Sequence, residues 1–185
     1  MLANEAAPKY AKALFELGER DGKLDIFNEQ LKIVATVFNT HGDLGQLMFH
    51  PQVKAEVKKD TLQKLFGQDI DKIIMNFLML LVDRHRVSGI NNIWNEFRHL
   101  FNAAKNLEEA EVITAVSISE TVKAALQQKL SIVTGKNVVL HMKVNPSIVG
   151  GVVVRIGDKL IDGSIVSQLA NLRRVLTSSK LTRLG

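Results

Sequence analysis

The amino-acid sequence predicts an α+β protein with two domains, because the spacing of its apolar residues changes part-way along the chain. Up to about residue 105, apolar residues recur at spacings of three and four, which is typical of helices with one buried face. Beyond residue 106, several short segments alternate apolar and polar residues, as half-buried strands do. Connections between the helical segments are short, as in an antiparallel bundle. We therefore predict a bundle of about six helices over residues 1–105. A small domain with a short β-sheet and two helices is predicted over residues 106–185.

The bundle helices are predicted in order from their apolar faces and from the glycine and proline residues between them. The first is NEAAPKYAKALFELGERDG, the second LDIFNEQLKIVATVF, and a short third lies around DLGQLMF. Pro51 opens the fourth, PQVKAEVKKDTLQKLFG, and Gly67 ends it. The residues of the fourth helix that we expect to face inward are Val53, Val57, Leu62 and Leu65. The last two helices are DIDKIIMNFLMLLVDRHR and GINNIWNEFRHLFNAAKN.

The fifth helix is apolar on every side over residues 73–82, IIMNFLMLLV. A membrane span needs about 20 apolar residues, so this stretch is too short to be one. Either the helix is enclosed by its neighbours, or one of its faces is free for a partner. The first helix also has a wide apolar arc and a narrow polar stripe. Two such helices side by side would form a groove that accepts a third, amphipathic helix, although both could simply be buried.

The C-terminal domain is predicted to contain four short strands and two helices. The strands are AEVITAVSI, NVVLHMKV, GGVVVRI and the shorter LIDG. Ser119 is placed to cap the first helix, SETVKAALQQKLSIVTG, whose apolar stripe is Val122, Leu126, Leu130 and Val133. The closing helix, SIVSQLANLRRVL, carries one apolar face made of Ile165, Leu169, Leu172 and Leu176.

The glycine-rich segment NPSIVGGVVVRIGDKLIDGSI is predicted to be structural. It lacks the lysine and hydroxyl residue of a phosphate-binding loop, and residue 166 is valine where a nucleophile elbow needs glycine. A two-residue hairpin turn is predicted at Gly157–Asp158, and a helix cap at Ser164. The predicted turn and cap residues are Gly150, Gly151, Gly157, Asp158, Asp162, Gly163 and Ser164.

No catalytic, cofactor-binding or metal-binding residue is predicted. The chain has no cysteine, which excludes disulfides, thiolate catalysis and cysteine zinc sites. None of its five histidines lies in an H-E-x-x-H pattern. The N-terminus lacks the features of a secretory signal, which favours cytosolic exposure. The net charge of +5 is concentrated in residues 106–185, where it could reflect nucleic-acid binding or only a solvated surface.

The segment VNPSIVGGVVVRIGDKLIDGSIVSQLANLRR resembles the signature of the delta subunit of bacterial F-type ATP synthases. This family is called the oligomycin-sensitivity-conferring protein in mitochondria. KYAKALFELG resembles the family's opening helix, and RVSGINNIWNEF its last bundle helix. One departure is His85, since family members often have glycine or asparagine before the arginine that matches Arg86.

The resemblance implies a non-catalytic connector without a cofactor. It would join the N-terminal helices of the alpha subunits, in the catalytic head, to the ends of the b subunits of the peripheral stalk. One copy per complex is implied, as a peripheral protein on the cytoplasmic face of the bacterial plasma membrane, with no direct membrane span and no nucleic acid. The implied groove residues, on the first and fifth helices, are Tyr10, Leu14, Phe77, Leu80 and Leu81. The rival hypotheses are a nucleic-acid-binding protein that uses the basic C-terminal half, and an unrecognised enzyme.

Overall fold

A computed structural model describes the backbone of residues 2–181 and the side chains of residues 6–174. The chain divides into two compact units, Met1–Ala104 and Lys105–Gly185. The first unit is helical, and the second combines a four-stranded sheet with two helices. The predicted α+β fold class is thus confirmed. None of the helices within residues 2–181 is long and apolar enough to span a bilayer.

The first unit is built from six α-helices. They are α1 (Leu2–Arg20), α2 (Leu24–Thr40), α3 (Gly42–Phe49), α4 (Ala55–Phe66), α5 (Lys72–Asp83) and α6 (Ile90–Ala104), with a short 3₁₀ turn at Val87–Gly89 before α6. α1 packs mainly on α6, and α4 packs mainly on α5. The fully buried side chains of this core include Phe27, Leu31, Leu62, Ile74, Leu78, Ile93 and Phe97.

The inward face of α4 differs from the one predicted. The buried residues are Lys58, Leu62 and Phe66, whereas Val57 and Leu65 are each 47% exposed. Successive residues of a helix point about 100° apart. Because Lys58 and Phe66 face the core, the residues before them, Val57 and Leu65, are turned outward. Sequence alone favoured the valine over a lysine because it could not show that Lys58 would find a partner inside the unit.

The start of α5 is fixed by Asp71. One carboxylate oxygen accepts the backbone N–H of Ile73 at 2.8 Å, and the other accepts the Lys23 ammonium at 2.7 Å. The Asp71 backbone N–H donates to Gln30 Oε1 at 2.9 Å. The bond from Lys23, followed by the one from Ile73, lowers the pKa of Asp71. The N-terminus of α5 is therefore linked to Gln30 of α2 and to Lys23, the residue that precedes α2.

The end of α5 places His85 in the left-handed region, with φ of +53°. The backbone N–H of His85 donates to Val82 O at 3.0 Å, and that of Arg86 donates to Leu81 O at 2.8 Å. These two bonds form the turn that commonly ends a helix at a glycine. Histidine thus occupies a position that favours glycine or asparagine.

Replacing His85 with glycine should raise the free energy of unfolding of the first unit by about 1 kcal/mol, because glycine has no Cβ to clash at positive φ. Urea unfolding followed by the fluorescence of Trp94, the sole tryptophan of the chain, measures this. His85→Ala retains the Cβ and serves as the control, with no gain expected. A gain from alanine equal to that from glycine would contradict the explanation.

The second unit contains a four-stranded sheet with the order β2-β1-β3-β4. Its strands are β1 (Leu107–Thr114), β2 (Asn137–Val144), β3 (Val152–Ile156) and β4 (Lys159–Asp162). β1 and β2 are parallel and joined through helix α7 (Glu120–Thr134); the other pairs are antiparallel. Helix α8 (Ile165–Leu181) follows β4. The small core is formed by Ala110, Val112, Leu130, Val138 and Val154.

Two predictions for this unit were wrong in detail. β1 begins at Leu107 and ends at Thr114, whereas AEVITAVSI places it over residues 110–118. The parallel register pairs Leu107 with Asn137, and Thr114 Oγ1 donates to Val116 O at 2.8 Å where the strand ends. In α7, Val122 and Val133 are 53% and 78% exposed, because only the central residues of the helix reach the narrow core over β2.

Candidate partner-binding surfaces

α1 and α5 are bridged by an aromatic contact at the surface of the first unit. The ring centroids of Tyr10 and Phe77 lie 6.0 Å apart, with the rings edge to face at 68°. Tyr10 is half-buried, and Phe77 is 9% exposed. Edge-to-face pairs of this kind hold both rings in defined positions. The contact therefore links the two helices through one half-buried and one largely buried ring.

Arg86 fixes Tyr10 from the turn that follows α5. Its guanidinium carbon lies 5.7 Å from the centre of the Tyr10 ring, and Nη1 donates to Tyr10 Oη at 3.4 Å. A cation over an aromatic ring is attracted by the electron density of the ring face. The sequence identified Arg86 only as the match to the family's arginine, with no sign of a contact with Tyr10. We call Tyr10, Phe77, Leu80 and Arg86 the α1–α5 surface.

The outward face of α5 is a narrow stripe with one large apolar residue. Lys72, Asn76, Leu80 and Asp83 are exposed at spacings of three and four, and Leu80 is 42% exposed. The rest of α5 is buried or half-buried, so the helix is enclosed on most sides. On α1, the exposed Ala13 lies three residues after Tyr10, on the same side of the helix. Its small side chain allows the backbone of a partner to approach closely.

The five groove residues inferred from the resemblance occupy two levels. Leu80 is exposed, Tyr10 is half-buried, and Phe77, at 9% exposure, lies just beneath the surface. Leu14 is 2% exposed and Leu81 is 0% exposed, so both lie in the core beneath it. Contact of any of the five with a partner stays a prediction.

In the second unit, the start of β3 lies close against the start of α8, and glycines occupy the points of closest approach. Gly151 has φ of +81°, and a Cβ added there would lie 2.2 Å from the carbonyl oxygen of Gly163. The Gly163 N–H donates to Val152 O at 2.9 Å, and the Ile165 N–H donates to Gly150 O at 3.0 Å. We call these two bonds the β3–α8 latch. They hold the first turn of α8 against the sheet.

The predicted hairpin turn and helix cap residues occupy the following positions. Gly157, with φ of +54°, and Asp158 lie between Ile156 and Lys159, which pair across β3 and β4. A glycine with positive φ at the first central position suits a two-residue hairpin turn. Ser164 is 3% exposed, and its Oγ accepts the Ser167 N–H at 3.2 Å, as a helix cap does.

Asp162 extends this cap with its carboxylate. It accepts Ser167 Oγ–H at 2.5 Å and the Ser164 N–H at 2.9 Å. The bond from the Ser167 hydroxyl, followed by bonds from the Ser164 side chain and backbone, lowers the pKa of Asp162. The negative charge also lies at the N-terminus of α8, where it interacts favourably with the positive end of the helix dipole.

Replacing Asp162 with asparagine should remove a pH-dependent contribution to the stability of the second unit. Because folding lowers the pKa of Asp162, its contribution is present above the unfolded-state pKa, which is about 3.9, and is lost as the pH falls through the folded-state pKa. The difference in unfolding free energy between wild type and Asp162→Asn should thus be larger at pH 7 than at pH 3. Denaturant unfolding followed by circular dichroism measures it. Asp158→Asn is the control, and a difference that does not change with pH would contradict the role.

The apolar face of α8 is uncovered in the isolated chain. Ile165 is 41% exposed, Leu169 60% and Leu172 59%; the side chain of Leu176 lies outside the described residues. Soluble proteins seldom leave a row of large apolar residues exposed on one helix unless a partner covers it. We call Ile165, Leu169 and Leu172 the α8 surface.

Two lysines of the second unit are paired with glutamates of β1. Lys143 Nζ lies 2.5 Å from Glu111, and Lys136 Nζ lies 2.6 Å from Glu108. Residues 105–185 also contain no phenylalanine, tyrosine or tryptophan. Proteins usually hold single-stranded bases by stacking them on aromatic side chains, and this half of the chain has none to offer. Within the described side chains, no group of three histidine or carboxylate residues is placed to hold a metal ion.

Comparison with known proteins gives one consistent result. The family model of the ATP synthase delta (OSCP) subunit matches residues 6–176. The chain is 35% identical over 177 residues to ATP synthase subunit delta of Desulfitobacterium hafniense (strain Y51), covering 96% of this chain and 99% of that protein. It is 40% identical over 178 residues to ATP synthase subunit delta of Desulforamulus reducens, covering 96% and 98%.

A solved structure shares the fold. A chain in the cryo-EM structure of the Toxoplasma gondii mitochondrial ATP synthase hexamer superposes with a TM-score of 0.71 at 20% identity, covering 92% of this chain and 97% of that one. The bacterial relatives and the family model extend over nearly the whole sequence, so they account for both units together. The chain therefore belongs to the ATP synthase delta (OSCP) subunit family.

Proposed function

We propose that this protein is a non-catalytic stator connector of a rotary ATP synthase. It links the catalytic head to the peripheral stalk, so that proton-driven rotation is coupled to ATP synthesis. The observation that carries the proposal is that each of the two units exposes large apolar side chains on a helix: Leu80 on α5 in the first unit, and Ile165, Leu169 and Leu172 on α8 in the second. Two separate surfaces suit a protein that binds two partners at the same time.

The first unit binds the N-terminal helices of the alpha subunits through the α1–α5 surface. Leu80 is the exposed apolar anchor, with the half-buried Tyr10 and the largely buried Phe77 beside it, and Ala13 permits close approach of the incoming helix. Leu14 and Leu81 support this surface from beneath. An amphipathic helix bound through anchors at three- and four-residue spacing is a common mode of recognition.

The second unit binds the ends of the b subunits through the α8 surface. The β3–α8 latch and the cap formed by Ser164 and Asp162 hold the first turn of α8 in place. A rigidly held helix loses less conformational freedom on binding than a mobile one, so more of the apolar contact appears as affinity.

The mechanical role requires tight binding and no bond chemistry. A rotor that turns inside the head exerts torque on it, and the connector must remain bound under that load. Burial of apolar surface contributes about 25 cal/mol per Å² before the costs of association. The protein acts as one copy per complex on the cytoplasmic face of the plasma membrane, without a cofactor.

A bridging experiment with the full chain tests this function. The partners are an alpha-subunit N-terminal peptide and a C-terminal fragment of the b subunit, both from the organism of origin. We expect the immobilised peptide to retain the b fragment only when the protein is added. Retention of neither partner, together with RNA or DNA binding that falls steeply with salt, would favour the nucleic-acid hypothesis instead.

A further inference from the structure

A cleft of about 130 Å³ lies in the first unit, and its lining shares no residue with the α1–α5 surface. It is bounded by the end of α3, by α4, and by the end of α5 with the turn that follows. Its apolar lining is Met48, Phe49, Pro51, Val82 and Val87, and its polar lining is Lys58, His85 and Ser88. None of these lining residues is a carboxylate.

Lys58 is a largely buried lysine whose ammonium is partly buried and has no carboxylate partner among residues 6–174. The residue as a whole is 7% exposed, and its ammonium donates to His50 O at 2.8 Å. An ammonium has three N–H donors, and this bond uses one. Among residues 6–174 no carboxylate forms an ion pair with Lys58, whereas its neighbour Lys59 pairs with Asp83 at 2.5 Å. A partly buried ammonium is stabilised by a counter-charge, and Lys58 lines the cleft, so an anion bound there would have a favourable partner.

The apolar lining restricts the kind of anion. Phosphate is strongly hydrated and would lose water against methyl groups and rings, whereas an organic carboxylate can place its apolar part there. A cavity of about 150 Å³ in another protein holds a benzene molecule, and this open cleft, at about 130 Å³, is close to that size.

We propose that this cleft binds a small organic monocarboxylate. Its carboxylate accepts from the Lys58 ammonium, and its apolar body packs against Met48, Val82 and Val87. This site is separate from the connector function and does not depend on it.

Benzoate is the probe, titrated into the full chain and followed by isothermal calorimetry and by NMR of methyl groups. We expect saturable binding, with shifts at the methyl groups of Met48, Val82 and Val87. Benzamide, the neutral analogue, and inorganic phosphate should each bind at least about 10-fold more weakly, because the charged hydrogen bond or the apolar contact is lost. Lys58→Met keeps the apolar stem and should weaken benzoate binding by about 10-fold or more. Lys59→Met, which removes the neighbouring half-exposed charge and its ion pair with Asp83, should bind as wild type does.

Absence of saturable binding, or shifts elsewhere in the protein, would overturn the proposal. So would benzamide binding equal to that of benzoate, or an unchanged affinity in Lys58→Met. Phosphate binding as tight as benzoate binding would show a general anion site, which contradicts the assigned class. If Lys58→Met does not fold, the comparison of benzoate with benzamide on the wild-type chain still decides the outcome.

Discussion

Replacing Gly151 with alanine is expected to lower the free energy of unfolding of the second unit by about 3 kcal/mol or more, which is at the large end of single-residue effects. A Cβ at this position would lie 2.2 Å from the backbone oxygen of Gly163, and the residue has φ of +81°. Because the obstacle is backbone, relief requires β3 and the start of α8 to separate. Such a separation would break the β3–α8 latch.

Amide hydrogen exchange in β3 measures this loss, since the second unit has no aromatic reporter. Gly135→Ala is the matched control: Gly135 also has positive φ, +69°, but nothing lies within 4 Å of an added Cβ. The control should cost only about 1 kcal/mol. Equal losses in the two variants would show that the close approach of Gly163 contributes nothing.

Replacing Leu80 with aspartate is expected to weaken binding of the alpha-subunit N-terminal peptide by about 100-fold, as for loss of a central apolar anchor. The carboxylate would have to lose its water beneath the bound helix, without a partner. Leu80 is 42% exposed in the free chain, so stability should change little. Fluorescence anisotropy of a labelled peptide measures the affinity.

Leu65→Asp is the control for this change, because Leu65 is an exposed leucine on α4 with 47% exposure. It should bind the peptide as wild type does, and equal losses in the two variants would contradict the assigned surface. Phe77→Asp is also expected to abolish binding. Phe77 is only 9% exposed, so that change would lower stability as well, and Leu80 gives the clearer test.

The helices and the change to strands were predictable because they depend on local spacing of apolar residues. The fold class and the order of elements follow from such spacing. The orientation of α4 did not, because it depends on the hydrogen bond from the Lys58 ammonium to His50 O, which only the folded chain shows. Similarly, the exposure of Val122 and Val133 depends on how small the core beneath α7 is.

The candidate surfaces were predictable only in part. The wide apolar faces of α1 and α5 indicated these two helices as candidates for partner binding. They did not distinguish the exposed Leu80 from the buried Leu81. The contact of Arg86 with Tyr10 joins residues that are 76 positions apart, and spacing carries no signal for it. The glycine pair indicated a tight turn, whereas the approach of Gly163 to Gly151 required the folded sheet.

The most direct test of the two-surface account is to measure affinities of three full-length proteins for both partners. These are the wild type, Leu80→Asp, and the double variant Leu169→Asp/Leu172→Asp on the α8 surface, each titrated by calorimetry with the alpha-subunit peptide and with the b-subunit fragment. The account predicts that Leu80→Asp loses only the peptide and that the α8 variant loses only the b fragment. Loss of both partners in one folded variant, or of neither in both variants, would contradict it.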